Sequence, residues 1–270
     1  MTIQESSRAR SAEGDDSAAS GLGALEAVVG PTRSVVVADV AQEIADLVRE
    51  RPEAILGLAT GGTMVELYAE LVRLHRDEGL DLSRVTTFNL DEYLGLDEGD
   101  ANTFRSFMEE HLFEPAELDR ARTNFPDSTR AATDPLAASR EYEDAIAAAG
   151  GIDLQLLGLG RNGHIGFNEP GSLRESRTRV ITLAARTRED ATGTFGALAD
   201  VPTAAITVGV ATILEARRVC ILAFGERKAE VVLRTVTGDV GPEVPSTFLR
   251  GHADAVLHVD TAAASQLFGR

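Results

Sequence analysis

Short apolar runs that break at a glycine and give way to a helical pattern recur along this chain, and they constrain its fold more than any other feature. The first clear case is AILGLA at 54–59, followed by Thr60-Gly61-Gly62-Thr63 and then by Met64, Leu67, Tyr68, Leu71 and Val72. A run without in–out alternation marks a strand buried on both faces. The residues after the turn fall at i, i+3, i+4, i+7 and i+8, the spacing of an amphipathic helix. Residues 85–89, 154–157, 179–183, 204–208, 218–224 and 255–259 read as further strands. A short apolar run at 34–40 leads into a helix with Val40, Ile44, Leu47 and Val48 on one face, ended by Pro52. Other helices carry Phe104, Phe107, Met108, His111 and Leu112, or Ala229, Val232, Leu233 and Val236, and one spans 261–268. A helix over 135–149 has Asp134 as N-cap, Pro135 at its first position and Gly150 as its stop. Strands alternating with helices predict an α/β fold, a mostly parallel sheet covered by helices on both faces. One domain over 23–270 is expected.

The remaining composition narrows the classes. Residues 1–22 are polar and rich in small side chains, which predicts a disordered tail, and they lack the apolar core of a secretory signal. No run approaches the length of a membrane span. A net charge of −17 argues against nucleic acid or an anionic membrane surface as partner. The single cysteine, Cys220, lies in the apolar run VCILAF and reads as a buried small hydrophobe, in keeping with the cytoplasm. His75, His111, His252 and His258 stand at no metal-ligand spacing with another His or Cys, so neither a metal nor a cofactor is expected.

The chemistry concentrates in three places. After the strand at 154–157 come Gly158, Gly160, Gly163 and Gly166, interleaved with His164, Asn168 and Glu169. Glycines let a backbone approach a ligand closely, and His, Asn and Glu can hydrogen-bond, orient and move protons. Residues 158–163 match G-x-G-x-x-G, but the continuation through Gly166, Pro170 and Gly171 is loop chemistry. No acidic residue follows near Leu183, so dinucleotide binding is rejected. The turn Thr60-Gly61-Gly62-Thr63 precedes a helix N-terminus and reads equally as an anion cradle or a plain tight turn; it lacks the G-K-[ST] of a P-loop. Asp91 follows the strand at 85–89, at the sheet edge where ligands bind, although a cap or turn residue is the blander alternative. Among 26 Lys and Arg residues the one lysine is Lys228, a compact point charge where the rest of the chain uses planar forks.

Taken in order, the blocks 57–63 (GLATGGT), 88–93 (FNLDEY) and 163–170 (GHIGFNEP) resemble the glucosamine-6-phosphate deaminase family. Residues 176–179 (SRTR), 207–210 (TVGV) and 225–229 extend the likeness over nearly all of the chain after residue 22. The resemblance implies a Rossmann-like three-layer α/β sandwich and conversion of an amino-sugar phosphate to a ketose phosphate plus ammonia, without a cofactor. Homo-oligomerisation stays open. It assigns the proton shuttle to Asp91 and ring opening to His164, oriented by Glu169 and Asn162. The substrate phosphate is assigned to Thr60, Gly61, Gly62, Thr63 and Lys228.

Three positions depart from the family pattern. Asn162 stands where many members carry Asp. Gly193 stands where the family's Ala-Asn-[Ser/Ala]-Arg-Phe-Phe block has its phosphate-binding arginine. Either another arginine, such as Arg186 or Arg188, replaces it, or the preferred substrate is a less anionic or differently phosphorylated amino sugar; the sequence favours the second, because glycine loosens the segment. Ile181 replaces a basic residue of allosteric members, so that regulation is not expected. Two other functions compete. The related 6-phosphogluconolactonases share the Gly-His loop but usually show Asp-Glu-Arg where this chain has Asp91-Glu92-Tyr93. A non-catalytic sugar-phosphate sensor would need no Asp91, His164 and Glu169.

Overall fold

The computed structural model describes residues 3–5 and 25–268. The expected tail over 1–22 lies outside the described residues except for β1 (Ile3–Glu5), which forms a short edge strand. In chain order follow β2 (Glu26–Gly30), α1 (Arg33–Glu50), β3 (Ile55–Leu58), α2 (Val65–Glu78), β4 (Thr86–Asn89), β5 (Asp91–Tyr93) and α3 (Phe104–Met108). Then come β6 (Thr123–Asn124), α4 (Ser128–Thr133), α5 (Pro135–Ala149), β7 (Leu154–Gly158), β8 (Arg179–Thr182) and α6 (Ala185–Phe195). The chain closes with β9 (Ala204–Thr207), α7 (Val210–Leu214), β10 (Arg218–Ala223), α8 (Ala229–Thr237) and β11 (Ala255–Asp260).

Among the described residues, eight strands form one parallel sheet in the order β1-β2-β11-β10-β7-β3-β4-β6. The connections β2-α1-β3 and β3-α2-β4 run one way across it; β6-α5-β7 and β10-α8-β11 run the other. Right-handed crossovers in opposite directions place their helices on opposite faces. Tyr142 of α5 meets Phe88 edge-on at 5.7 Å and donates its hydroxyl to Asn89 O at 2.7 Å. The expected α/β sandwich is what forms, and its central strands β3, β7, β10 and β11 are buried as their composition required.

Several details differ from the sequence reading. Val35, Val36 and Val37, read as an apolar run ahead of the helix, lie within α1, because Thr32 caps Val35 N and Val36 and Val37 join Val40, Ala41 and Ile44 on the buried face. The strand before this helix is β2, which went unread. The helix expected over 104–112 is α3 followed by a π-helical turn at Glu109–Phe113. The helix expected over 261–268 is a run of turns. The segment around Gly193, expected to be loose, is helix α6. By contrast, α5 has the caps anticipated for it: Asp134 accepts from Ala137 N at 3.1 Å, and Gly150 closes it at φ 102°. Gln155 interrupts the apolar run of β7 without penalty, because a Cβ at Gly57 on the adjacent strand would fall 2.1 Å from its Oε1.

A second sheet of three antiparallel strands, β5-β9-β8, stands apart from the first. Only one residue, Leu90, separates β4 from β5, so the chain leaves the main sheet and enters the second within a single step. Leu90 stays tied to both: its N donates to Leu58 O at 2.9 Å, and its O accepts from Val208 N at 2.8 Å.

Candidate active site

Topology alone gathers the candidate residues. The four strands β10, β7, β3 and β4 are neighbours and parallel, so their C-terminal ends share one edge. That edge receives Lys228 after β10, the Gly-His loop after β7, the Gly-rich turn after β3 and Asp91 after β4. Connections leave β3 toward β4 and leave β7 toward β10, so the strand order reverses between β3 and β7. The crevice at such a reversal is where open α/β sheets bind ligands.

Asp91 pairs with Thr207 across the second sheet and is 6% exposed. It faces the Gly-His loop: a Cβ at Gly166, whose φ is 56°, would lie 3.2 Å from Thr207 Oγ1 and 3.5 Å from Asp91 Oδ2. Burial, and secondarily the charge of Glu92, push the Asp91 carboxyl up to about 8. Glu92 turns away and accepts from the backbone N–H groups of Tyr93, Phe104 and Arg105 at 2.9–3.0 Å, anchoring the start of α3. The two acids therefore divide their roles: Glu92 holds structure and Asp91 faces the crevice.

The Gly-His loop folds over its own glycines. Gly160 N donates to His164 O at 3.0 Å, and a Cβ at Gly160 would sit 2.3 Å from His164 Nε2 and Cδ2. The imidazole lies against that residue, which must be glycine for the ring to occupy this position. His164 Nδ1 stands 3.5 Å from Glu169 Oε2, an ion-pair distance that is long for a hydrogen bond, and Nδ1 has no hydrogen-bond partner. Asn162 ties the two together, donating Nδ2 to Glu169 Oε2 at 2.6 Å and accepting His164 N on Oδ1 at 3.2 Å. Thr187 of α6 donates its hydroxyl to Glu169 Oε1. Burial alone would raise the Glu169 carboxyl, but His164, Thr187 and Asn162 together hold it down to about 2. Glu169 is a fixed anion beside the imidazole. Thr187 was not anticipated, and nothing local to it in sequence marks it; it reaches the site only because α6 packs over the loop.

Asn168 is structural. Its Nδ2 bonds Ile165 O and Val208 O at 2.9 Å, and its Oδ1 accepts from Arg179 at 2.9 Å. Beside it a cavity of about 500 Å³ opens between Glu169, Ser172 and Leu173 on one side and Arg179 and Ile181 on the other. A separate cavity of about 470 Å³ between α5 and α7, lined by Arg140, Glu143 and Arg177, contains none of the candidate residues. The candidate residues gather instead at the crevice, where the C-terminal ends of β10, β7, β3 and β4 share one edge.

The Gly-rich turn leaves Gly61 and Gly62 exposed, with Gly61 at φ 101° and no atom within 4 Å of a Cβ at either. Arg33 braces it from behind, donating to Gly62 O at 2.8 Å while paired with Glu66 at 3.0 Å. Lys228 is half-buried, with Nζ on Leu159 O at 2.5 Å; burial, then the charge of Arg161, lower its pKa. Of the arginines considered as replacements at 193, Arg188 is committed to the carbonyls of Leu198, Val201 and Pro202. Among the described residues no cluster of His, Cys, Asp and Glu could hold a metal, and no helix is long and apolar enough to cross a membrane.

Fold and site define a class: an open parallel α/β enzyme with a buried acid and a histidine–carboxylate pair at its switch point. Residues 32–258 match the family model of glucosamine-6-phosphate isomerases and 6-phosphogluconolactonases. The glucosamine-6-phosphate deaminase of Rhodopirellula baltica is 45% identical over 248 residues, covering 92% of this chain and 98% of that protein. The deaminase of Cellvibrio japonicus is 48% identical over 220 residues, 82% of this chain and 83% of that one. A solved monomeric glucosamine-6-phosphate deaminase superposes with a TM-score of 0.85 at 39% identity, over 89% of this chain and 99% of its own. The 6-phosphogluconolactonase of Trypanosoma cruzi shares the fold, with a TM-score of 0.69 at 20% identity over 90% of this chain and 97% of that one. The chain belongs to the glucosamine-6-phosphate deaminase family.

Proposed function

We propose that the protein converts glucosamine 6-phosphate and water to fructose 6-phosphate and ammonia. The observation that carries this reading is Asp91, a buried acid with a raised pKa that faces the loop bearing His164. A 2-amino aldose must open its ring, lose a proton at carbon 2, regain one at carbon 1 and expel its nitrogen. His164 moves the proton from the carbon-1 hydroxyl to the ring oxygen, and the fixed anion Glu169 stabilises the imidazolium that forms. Asp91 as carboxylate takes the carbon-2 proton while the carbon-1 carbonyl oxygen takes one from the substrate's ammonium group, giving a neutral enolamine across carbons 1 and 2. It returns that proton to carbon 1, leaving an iminium at carbon 2. Water adds there, ammonia leaves, and the ketose phosphate remains. A single carboxyl group serves both carbons because they are adjacent, and its raised pKa keeps it able to give the proton back.

The substrate phosphate rests on the free N–H groups of the turn at 60–63, at the start of the α2 segment, with Lys228 as counter-charge. A charged sugar phosphate does not cross a membrane unaided, which supports a cytoplasmic enzyme. Ammonia release from glucosamine 6-phosphate, measured beside hydrolysis of 6-phosphogluconolactone, tests the reading. Steady ammonia release without lactone hydrolysis supports it. Lactone hydrolysis alone, or binding of the amino sugar without turnover, refutes it.

A further inference from the structure

Arg161 is a charged residue that neither the mechanism nor the fold accounts for. It sits in the Gly-His loop one residue before Asn162, and its guanidinium pairs with Asp190 on α6. Both side chains are largely exposed, at 40% and 49%, so the pair contributes little to stability. Its position carries the argument. Lys228 Nζ is held on the carbonyl of Leu159, two residues before Arg161. Asp190 lies one helical turn before Gly193, on the same face of α6. Around Gly193 no atom lies within 4 Å of where a Cβ would be, so that face is open. Two cations and one carboxylate thus border the same space. The charge of Arg161 reaches Lys228, and Asp190 partly offsets it.

A phosphate monoester carries nearly two negative charges near neutral pH. Lys228 alone leaves one of them unmatched. Arg33 is already engaged by Gly62 O, Glu66 and the face of Phe224, and Arg188 by three carbonyls. Arg186 stands two helical turns before Gly193, about 10 Å back along the axis. We propose that Arg161 is the second cation of the phosphate site, and that Asp190 occupies its guanidinium until the substrate phosphate displaces it. The arginine missing from α6 at Gly193 is thereby supplied by the catalytic loop. This inference rests on the deaminase reading and goes beyond it by naming which residue selects a phosphorylated sugar.

The test is steady-state ammonia release from glucosamine 6-phosphate by the full chain. Arg161→Gln loses a charge-assisted contact and is expected to raise KM about 10- to 100-fold with kcat within a few-fold. Asp190→Asn removes the competing carboxylate and is expected to lower KM. Gly193→Arg placed in the Arg161→Gln background is expected to restore KM, which a purely structural role for Arg161 would not allow. Protection against thermal unfolding by inorganic phosphate is titrated in parallel because it needs no turnover. Its midpoint should move to about 10-fold higher phosphate in Arg161→Gln. Absent ammonia release by the unmodified enzyme would refute the deaminase reading, and the phosphate titration would still decide the role of Arg161. An unchanged KM and phosphate midpoint in Arg161→Gln overturn the proposal. So does a loss of the same size in Arg186→Gln with none in Arg161→Gln.

Discussion

Replacing Asp91 by Asn should stabilise the protein while removing its activity, and the size of the effect follows from the burial of this carboxyl. In the unfolded chain Asp91 titrates near its ordinary value of 3.8; in the folded protein its pKa is raised to about 8. For an acid shifted this way, the folded state binds the proton more tightly than the unfolded state. Stability is therefore greatest below pH 3.8 and is lost as pH rises toward 8. Each pH unit in that window removes about 1.4 kcal/mol. At pH 7 the loss spans just over three units, roughly 4 to 5 kcal/mol; at pH 5 it spans just over one, roughly 1 to 2 kcal/mol. Asparagine has nearly the same shape and no charge to bury, so the variant escapes this penalty. Urea denaturation of both proteins at pH 5 and pH 7 measures the difference. The variant's advantage should grow by about 3 kcal/mol between the two, because any change in packing or hydrogen bonding is common to both pH values. Ammonia release should fall by about 10²–10⁴. An advantage that does not change with pH would show that Asp91 is not held protonated. Near-normal turnover would remove it from the proton transfer.

Three further outcomes follow from other residues. Gly160→Ala places a methyl group 2.3 Å from the His164 ring; the imidazole must leave its position, and kcat should drop at least tenfold with the secondary structure, followed by circular dichroism, intact. His258 is buried in β11 with neither ring nitrogen partnered, and burial, then the charge of Arg218, depress its pKa to about 3. Its neutral form is favoured by folding, so stability is full above pH 6.5 and falls below it, by about 2 kcal/mol at pH 5; His258→Phe should flatten this acid limb in urea titrations, and an unaltered limb would count against it. Asn162→Asp would put a carboxylate at the 2.6 Å contact now made with Glu169; two carboxylates so close share a proton, so the pH–rate profile should gain a new ionisation near neutrality, which an unchanged profile would rule out.

The fold was legible where local and tertiary preferences agree. In α5, Asp134, Pro135 and Gly150 punctuate an amphipathic pattern, and the helix begins and ends where they stand. Strands β3, β7, β10 and β11 are central and largely apolar, and their runs mark them within a residue or two. Legibility failed where packing overrides composition. Val35 to Val37 have strand-like side chains, but a threonine cap and a buried helical face decide otherwise. The second sheet was hidden because β5 is three residues long and follows β4 after one residue; residues 91–93 read as the segment that follows the strand at 85–89, and their ladder partners are over a hundred residues away.

The candidate site divides the same way, and the division has a physical cause. Glycines at Gly160 and Gly166 are visible in sequence because the His164 ring leaves no room for a Cβ at the first, and a φ of 56° strains any side chain at the second. Asp91, His164, Glu169 and Lys228 are visible because their chemistry has few substitutes. Thr187 and Arg161 are not, since a hydroxyl or a guanidinium can be supplied from many places on a fold and leaves no pattern at any one of them. Gly193 illustrates the consequence. Read along the chain, it is an arginine lost and a helix loosened. In three dimensions, α6 is intact, the space beside it is open, and a guanidinium from the Gly-His loop already reaches across to Asp190 on the same helix. A positive charge is a requirement on a point in space, and the parallel sheet brings loops from β7 and β10 close enough to that point for any of several residues to meet it. Sequence comparison tests which residue occupies a position; the structure tests whether the charge is there.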